Sequence, residues 1–297
     1  MQLNSANLNA LRIGFNTAFM AGLGGHESQY SQVATTINSS DLSERYGWMA
    51  NSTGLRKWVG DRVIKSLAEY DYEIKNEVWE ETIAVDKYHI EFDRLGTYST
   101  RFQMMGQNAA EFPDELVFGL LNKGFASNCF DGQYFFDTDH PVLDKNGDVA
   151  TVSNMAAGAE TPWYLMSTNR SIKPLIYQTL KPWEMVSMDS PTDANVFNRK
   201  EYVYGTEGAS NAGFGFWQTA FGSKMALDPT NYEAARLSMM GFKKDGGSPL
   251  GIVPNLLVVP PSLEGAARRI VGNELVGGGN TNEWYQTAEV LVVPWLA

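Results

Sequence analysis

The sequence predicts an α+β fold, and three observations carry that prediction. One stretch repeats apolar residues at helical spacing, one alternates apolar and charged residues, and a separate region is rich in aromatics and punctuated by prolines. The helical stretch is Tyr98, Phe102, Met105, Ala109 and Phe112, at steps of four and three. Pro113 follows, so either one kinked helix or two nearly continuous ones are expected, with Asp114 and Glu115 suited to a helix N-terminus and Leu116, Val117, Leu120 and Leu121 as its buried face. Lys123 and Gly124 close it.

The alternating stretch is 61–95. It has no Gly or Pro, and fifteen of its thirty-five residues are charged. Tyr70, Tyr72 and Ile74 share one side, and Asp71, Glu73 and Lys75 the other; the parity flips near Asp86 and Lys87. A long β-hairpin with its bulge or turn at that flip is expected. Ahead of it, residues 1–50 are polar and read as an arm. Leu8, Leu11, Phe15 and Phe19 give one helical stripe, ended by Gly22, Gly24 and Gly25. Residues 30–41 cannot build a core of their own and need another surface, for which a neighbouring subunit is the natural candidate.

In 161–221, Trp163, Tyr164, Tyr177, Trp183, Phe197, Tyr202, Tyr204, Phe214, Phe216 and Trp217 mark short strands, limited by Pro162, Pro174, Pro182 and Pro191. Thr230 with Glu233 reads as a capping box opening a helix that ends near Lys243. Leu256 to Val259 reads as a buried strand, Ser262 as the cap of a helix ending at Gly272, and Val290 to Val293 as a last strand.

The chain has 297 residues, 43% of them apolar, which suits a sizeable core. No apolar run approaches the roughly 18 residues of a membrane helix, and no leader is visible. A single cysteine, Cys129, rules out an internal disulfide framework and reads as buried filler. The net charge of −11, with basic residues only in pairs such as Arg56–Lys57, Lys243–Lys244 and Arg268–Arg269, argues against a nucleic-acid reader but allows a container for DNA.

Candidate chemistry is sparse. Asp137, Asp139 and His140 make the one cluster resembling a metal-dependent hydrolase site, but adjacent residues diverge in an extended chain and Pro141 points to a turn. Asp144 to Asp148 looks like a calcium-loop fragment whose glycine comes too early, so a β-turn is expected. No phosphate loop and no nucleophile elbow is present. No catalytic, metal or cofactor residue is therefore assigned.

Several segments resemble one family. They are Tyr72-Glu73-Ile74-Lys75-Asn76, Trp79-Glu80-Glu81-Thr82, Ile90-Glu91-Phe92-Asp93-Arg94-Leu95-Gly96, Phe112-Pro113-Asp114-Glu115-Leu116-Val117-Phe118 and, most distinctive, Asp131-Gly132-Gln133-Tyr134-Phe135-Phe136-Asp137-Thr138-Asp139-His140-Pro141. Ile172-Lys173-Pro174-Leu175-Ile176-Tyr177-Gln178, Lys200-Glu201-Tyr202-Val203-Tyr204-Gly205 and Pro249-Leu250-Gly251-Ile252-Val253-Pro254 follow, then Leu257-Val258-Val259-Pro260-Pro261-Ser262-Leu263-Glu264. From about Gly54 onward the chain resembles the major head subunit of Mu-like phages and prophages, the gpT family.

That resemblance implies a Hong Kong 97-type major capsid fold: an N-terminal arm (1–60), an E-loop hairpin (61–95), a peripheral domain with a long spine helix (96–160), an axial domain (161–280) and a C-terminal strand returning to the peripheral domain (281–297). It implies a non-enzymatic structural subunit that assembles with itself as hexamers and pentamers into an icosahedral shell around double-stranded DNA. Assembly is expected in the host bacterial cytoplasm, with a scaffold or protease, a portal protein and, as a further candidate, a decoration protein. No membrane partner is implied. Lysine cross-linking, for which Lys65, Lys75 and Lys87 are placed, is not expected. The rival readings are a tail tube or sheath protein, a hydrolase using Asp137, Asp139 and His140, and an aromatic glycan-binding protein.

Overall fold

A computed structural model describes residues 4–47, 72–92 and 96–297. The helix α1 (Ser5–Gly24) starts where the Asn4 side chain accepts a hydrogen bond from the Asn7 N–H at 2.8 Å. Its stripe of Leu8, Phe15 and Phe19 is buried. It packs on the long helix α3 (Gly96–Asn122), which runs unbroken through Pro113. The Phe15 and Phe102 rings stack at 4.3 Å, and the Tyr204 ring meets both edge-on. Two glycines let the backbones touch: a Cβ on Gly22 would lie 2.0 Å from the Gln103 carbonyl oxygen, and one on Gly106 would lie 2.1 Å from that of Phe19.

Asp114 corrects the expected second helix start. It sits inside α3, fully buried, and its carboxylate accepts the backbone N–H groups of Gln29 (3.0 Å) and Tyr30 (2.5 Å). Ser28 Oγ donates to the Ala110 carbonyl at 2.8 Å, within the turn that Pro113 disturbs. These bonds pin the N-terminal segment to its own chain. The strand β1 (Ala34–Asn38) then pairs in parallel with Leu175–Thr179. The described part of the expected arm, including 30–41, thus finds a surface on the chain's own body.

The expected hairpin also changes form. The strand β2 (Ser43–Arg45) pairs antiparallel with β3 (Glu73–Lys75), and residues 48–71, which hold Lys65, Tyr70 and Asp71, lie outside the described residues. The strand β4 (Glu77–Asp86) does not pair with β3; its partner is Glu201–Ser210. At the parity flip the chain becomes the short helix α2 (Lys87–Glu91), capped by the Asp86 carboxylate. Alternation shows that a segment is a strand, but it does not choose the partner.

Two sheets result. The four-stranded sheet has the order β1, β9 (Leu175–Met188), β10 (Glu201–Phe214), β4. At fourteen residues each, β9 and β10 are longer than the prolines suggested. Pro182 is tolerated because the pairing shifts there: Glu184 faces Glu207 and Lys181 faces Ala209, leaving Pro182 and Trp183 opposite Gly208 alone. The Trp183 ring lies over that glycine.

The five-stranded sheet has the order β13 (Glu289–Val292), β12 (Leu256–Val259), β8 (Trp163–Met166), β11 (Ala220–Ser223), β7 (Met155–Ala156). Its strands β8, β11 and β12 are buried at every residue, and β8 and β12 show the near-continuous apolar runs such strands need. Sheet membership cuts across the expected boundary at 160/161. The segment 175–214 leaves the second sheet to join the first, and the C-terminal strand joins the second, while the last turn (Pro294–Leu296) packs on α3.

The helix α3 serves two cores. Its first half packs with α1, Val85, Ile90, Tyr202 and Tyr204, while Val117, Phe118 and Leu121 of its second half pack with the five-stranded sheet. The short hairpin β5 (His140–Leu143) and β6 (Val149–Val152) packs on the core of the five-stranded sheet, and the helix α4 (Ala194–Arg199), which links β9 to β10, adds Val196 to the other core. Asp144 to Asp148 is the turn of that hairpin, with Asp144 Oδ1 accepting the N–H groups of Asn146 and Asp148. The helix α5 (Pro229–Met240) is capped by Asp228, not Thr230, because Pro229 supplies the first-turn φ and the Asp228 side chain accepts the Asn231 N–H. Ser262 makes no cap. A 3-10 turn (Pro261–Leu263), the four-residue helix α6 (Glu264–Ala267) and a π-turn (Arg268–Gly272) occupy that stretch.

Candidate functional site

The distinctive segment 127–140 folds into a small knuckle. Cys129 N–H donates to the Gln133 carbonyl and Gly132 N–H to that of Cys129, with Gly132 at φ +87°. This turn aims three chemically different atoms at one point: Cys129 Sγ, the Asp131 carboxylate and His140 Nδ1 lie within 4.8 Å of one another. Cys129 Sγ lies 3.1 Å from Asp131 Oδ1, and His140 Nδ1 lies 2.7 Å from Asp131 Oδ2. Burial pushes Asp131 up, but its hydrogen bonds with His140, Cys129 and the Gln133 N–H outweigh this and hold it below the ordinary carboxylate range. Burial first, and the Asp131 charge second, push the Cys129 thiol far up.

His140 is fully buried, its ring stacked at 4.0 Å on Trp217. Its Nε2 lies 3.2 Å from Asn154 Oδ1. Asn154, also buried, is held rigidly: Nδ2 donates to the carbonyls of Phe135, Trp217 and Ala220, and Oδ1 accepts the Asp137 N–H at 2.9 Å. One asparagine thus ties the knuckle, the β5–β6 hairpin and the five-stranded sheet together.

The hydrolase arrangement is not formed. Asp137 caps its own turn by accepting the N–H groups of Tyr134 and Thr138. Asp139 is exposed, and a hydrogen bond with Asp137 raises its carboxyl. His140 turns from both of these neighbours to Asp131 and Asn154, because consecutive residues in extended chain point apart. The sequence carried a signal for the true partners, a Cys-x-Asp-Gly turn eight residues before the histidine, and adjacency obscured it.

Candidate contact surface lies at one end of the four-stranded sheet. There Asp86 pairs with Glu201 and Val203 with Met188, so α2, α4 and the end of β9 converge. Phe197 is 84% exposed, Phe92 73%, and Tyr88 and Met188 are also exposed. Tyr88 and Phe92 stack at 6.5 Å, and Lys200 Nζ sits 5.5 Å above the Tyr88 ring. Single exposed apolar residues need no explanation, but four at one end of a sheet mark an interaction surface. Most of the aromatics of 161–221, by contrast, are core: Trp163, Tyr164, Tyr202, Tyr204 and Trp217 are all buried, which leaves no aromatic glycan face among them. No helix among the described residues is long and apolar enough to cross a membrane.

Comparison with known proteins places the chain among phage head proteins. Residues 8–296 match the family described as Mu-like prophage major head subunit gpT. The major capsid protein of Escherichia phage Mu is 37% identical over the full length of both chains. A chain of the procapsid of bacteriophage JBD30 superposes with a TM-score of 0.87 at 43% identity, covering 99% of this chain and 100% of that one. A chain of the JBD30 capsid decorated with minor capsid protein trimers gives 0.77 at 34% identity over 91% of each. The α+β architecture is the Hong Kong 97-type fold of tailed-phage heads, and the comparisons lend no support to a tail tube or a hydrolase. With its family matched from end to end, the chain belongs to the Mu-like prophage major head subunits of the gpT type.

Proposed function

We propose that copies of this chain build hexamers and pentamers and tile an icosahedral shell around the double-stranded DNA of a tailed phage, as its major capsid protein. The observation that carries this reading is the exposed apolar end of the four-stranded sheet, where Tyr88, Phe92, Met188 and Phe197 come together. Such a surface loses free energy by meeting a second copy: burying one exposed Phe is worth about 1.5–3 kcal/mol, and a shell repeats the contact many times.

In this reading α1, α3 and the four-stranded sheet form the peripheral domain, the five-stranded sheet with α5 and α6 the axial domain, and the β2–β3 pair the base of the extended loop. Portal protein, a scaffold or protease and minor capsid proteins join it during assembly in the host cytoplasm. The role is structural rather than catalytic, and the charge of −11 suits a wall that encloses DNA without gripping it.

The test is Phe197→Asp combined with Phe92→Asp, expressed with the phage's own assembly partners. Subunits with wild-type circular dichroism that give no heads by electron microscopy are expected. Heads of normal number and size from the double variant would overturn the role given to this surface.

A further inference from the structure

The knuckle holds a close nitrogen–carboxylate contact that needs a positive charge, a proton or a metal ion, to join it. Asn154 Nδ2 faces three carbonyls and its Oδ1 faces the Asp137 N–H, so flipping the amide would set oxygen against oxygen. With Oδ1 fixed as an acceptor, His140 Nε2 must be the ring N–H that faces it. An imidazole that carries its one proton there would present a lone pair at Nδ1, 2.7 Å from a carboxylate oxygen of Asp131. Two acceptors at that distance repel unless something positive joins them.

We propose that Cys129, Asp131 and His140 form a structural binding site for a thiophilic divalent cation, zinc by its donor set. Thiolate, carboxylate and imidazole are the ligands zinc takes, and the three atoms already lie within 4.8 Å of one another. Zinc bonds of about 2.0–2.3 Å require the ligand atoms to stand roughly 3.3–3.6 Å apart, so the Nδ1–carboxylate contact opens by a little over half an ångström. The second carboxylate oxygen or a water completes four ligands. Binding exchanges the thiol proton, released to solvent, for a metal–sulfur bond, with no change of oxidation state.

The surrounding bonds suit the role. The Nε2–H to Asn154 contact is the outer hydrogen bond that fixes the tautomer of a metal-ligating histidine, and Trp217 holds the ring plane. The four-residue turn around Gly132 supplies two ligands, and the first residue of β5 supplies the third. The metal would lock the knuckle, the hairpin and the five-stranded sheet together.

Elemental analysis of the purified full-length chain, equilibrated with zinc and dialysed, tests this. Cobalt(II) substitution follows, read through the thiolate-to-cobalt absorption in the near ultraviolet. One zinc per chain and a cobalt band are expected, both lost in Cys129→Ser with its circular dichroism unchanged. The wild-type readings stand even if that variant fails to fold. No stoichiometric zinc and no cobalt band, or a ¹⁵N spectrum of His140 in zinc-equilibrated protein with protons on both ring nitrogens, would overturn the proposal and leave a shared proton as the joining charge.

Discussion

Replacing Gly106 by Ala puts the contact between α1 and α3 to a direct test. The new Cβ would stand 2.1 Å from the Phe19 carbonyl oxygen and 2.7 Å from the Leu23 nitrogen, both backbone atoms that cannot rotate away. Restoring an ordinary carbon–oxygen contact of about 3.3 Å means moving the helices apart by roughly 1.2 Å, which loosens Phe15 and Phe19 against Phe102 and Met105. Overpacking of this kind costs about 1–3 kcal/mol, set against a gain of up to about 1 kcal/mol from the better helix propensity of Ala. The net expectation is a loss of about 1–2 kcal/mol, or several degrees of melting temperature. Gly22→Ala, 2.0 Å from the Gln103 carbonyl oxygen, follows the same logic. Gly14→Ala on α1 and Gly119→Ala on α3 are the controls: their Cβ atoms meet nothing within 4 Å, so both stabilise the subunit by up to about 1 kcal/mol. Thermal and urea unfolding of the four variants gives the answer. If Gly106→Ala matches Gly119→Ala in sign and size, the helices do not touch as described.

Other residues make narrower predictions. Asp114→Ala strips the acceptor from the N–H groups of Gln29 and Tyr30, and costs about 1–3 kcal/mol; hydrogen exchange at these two amides should quicken, and unchanged protection would reject the link. Asn154→Leu leaves three carbonyls without their side-chain donor and removes the acceptor of Asp137 N–H, so a loss of at least about 2 kcal/mol is expected from denaturant titration. Lys200 holds a left-handed φ of +61°, and Lys200→Gly should raise the unfolding free energy from denaturant titration by about 1 kcal/mol; a fall would mean that the lysine's contact with Tyr88 outweighs the backbone strain.

Local pattern carried the elements that answer to a single chain segment. The stripe Leu8, Phe15, Phe19 and the run Leu256 to Val259 are legible because their periodicity reports burial directly. Pairing was not legible, because β4 alternates in the same way whether it meets β3 or β10. The polar stretch around Thr35 and Thr36 looked unable to order itself because the stabilising partner, β9, lies far along the chain. Asp114 reads in sequence as a helix-start residue, and only the fold shows that the N–H groups it caps belong to Gln29 and Tyr30. The His140 partners were hidden for a similar reason: neighbours in sequence drew attention from Asp131 and Asn154, which a turn and a hairpin bring in.

The make-up of the four-stranded sheet sets the order in which a newly synthesised chain can fold. Its strands come from residues 34–38, 77–86, 175–188 and 201–214, and the first and last in space both wait on the two latest. While a ribosome is still making the middle of the chain, β1 and β4 have no partner at all. Closing such distant contacts is slow, and unpaired strands are prone to stray association. The translating chain therefore passes through a long interval with its early strands open: β1 and β4 wait for residues up to 214, and the five-stranded sheet for residue 292.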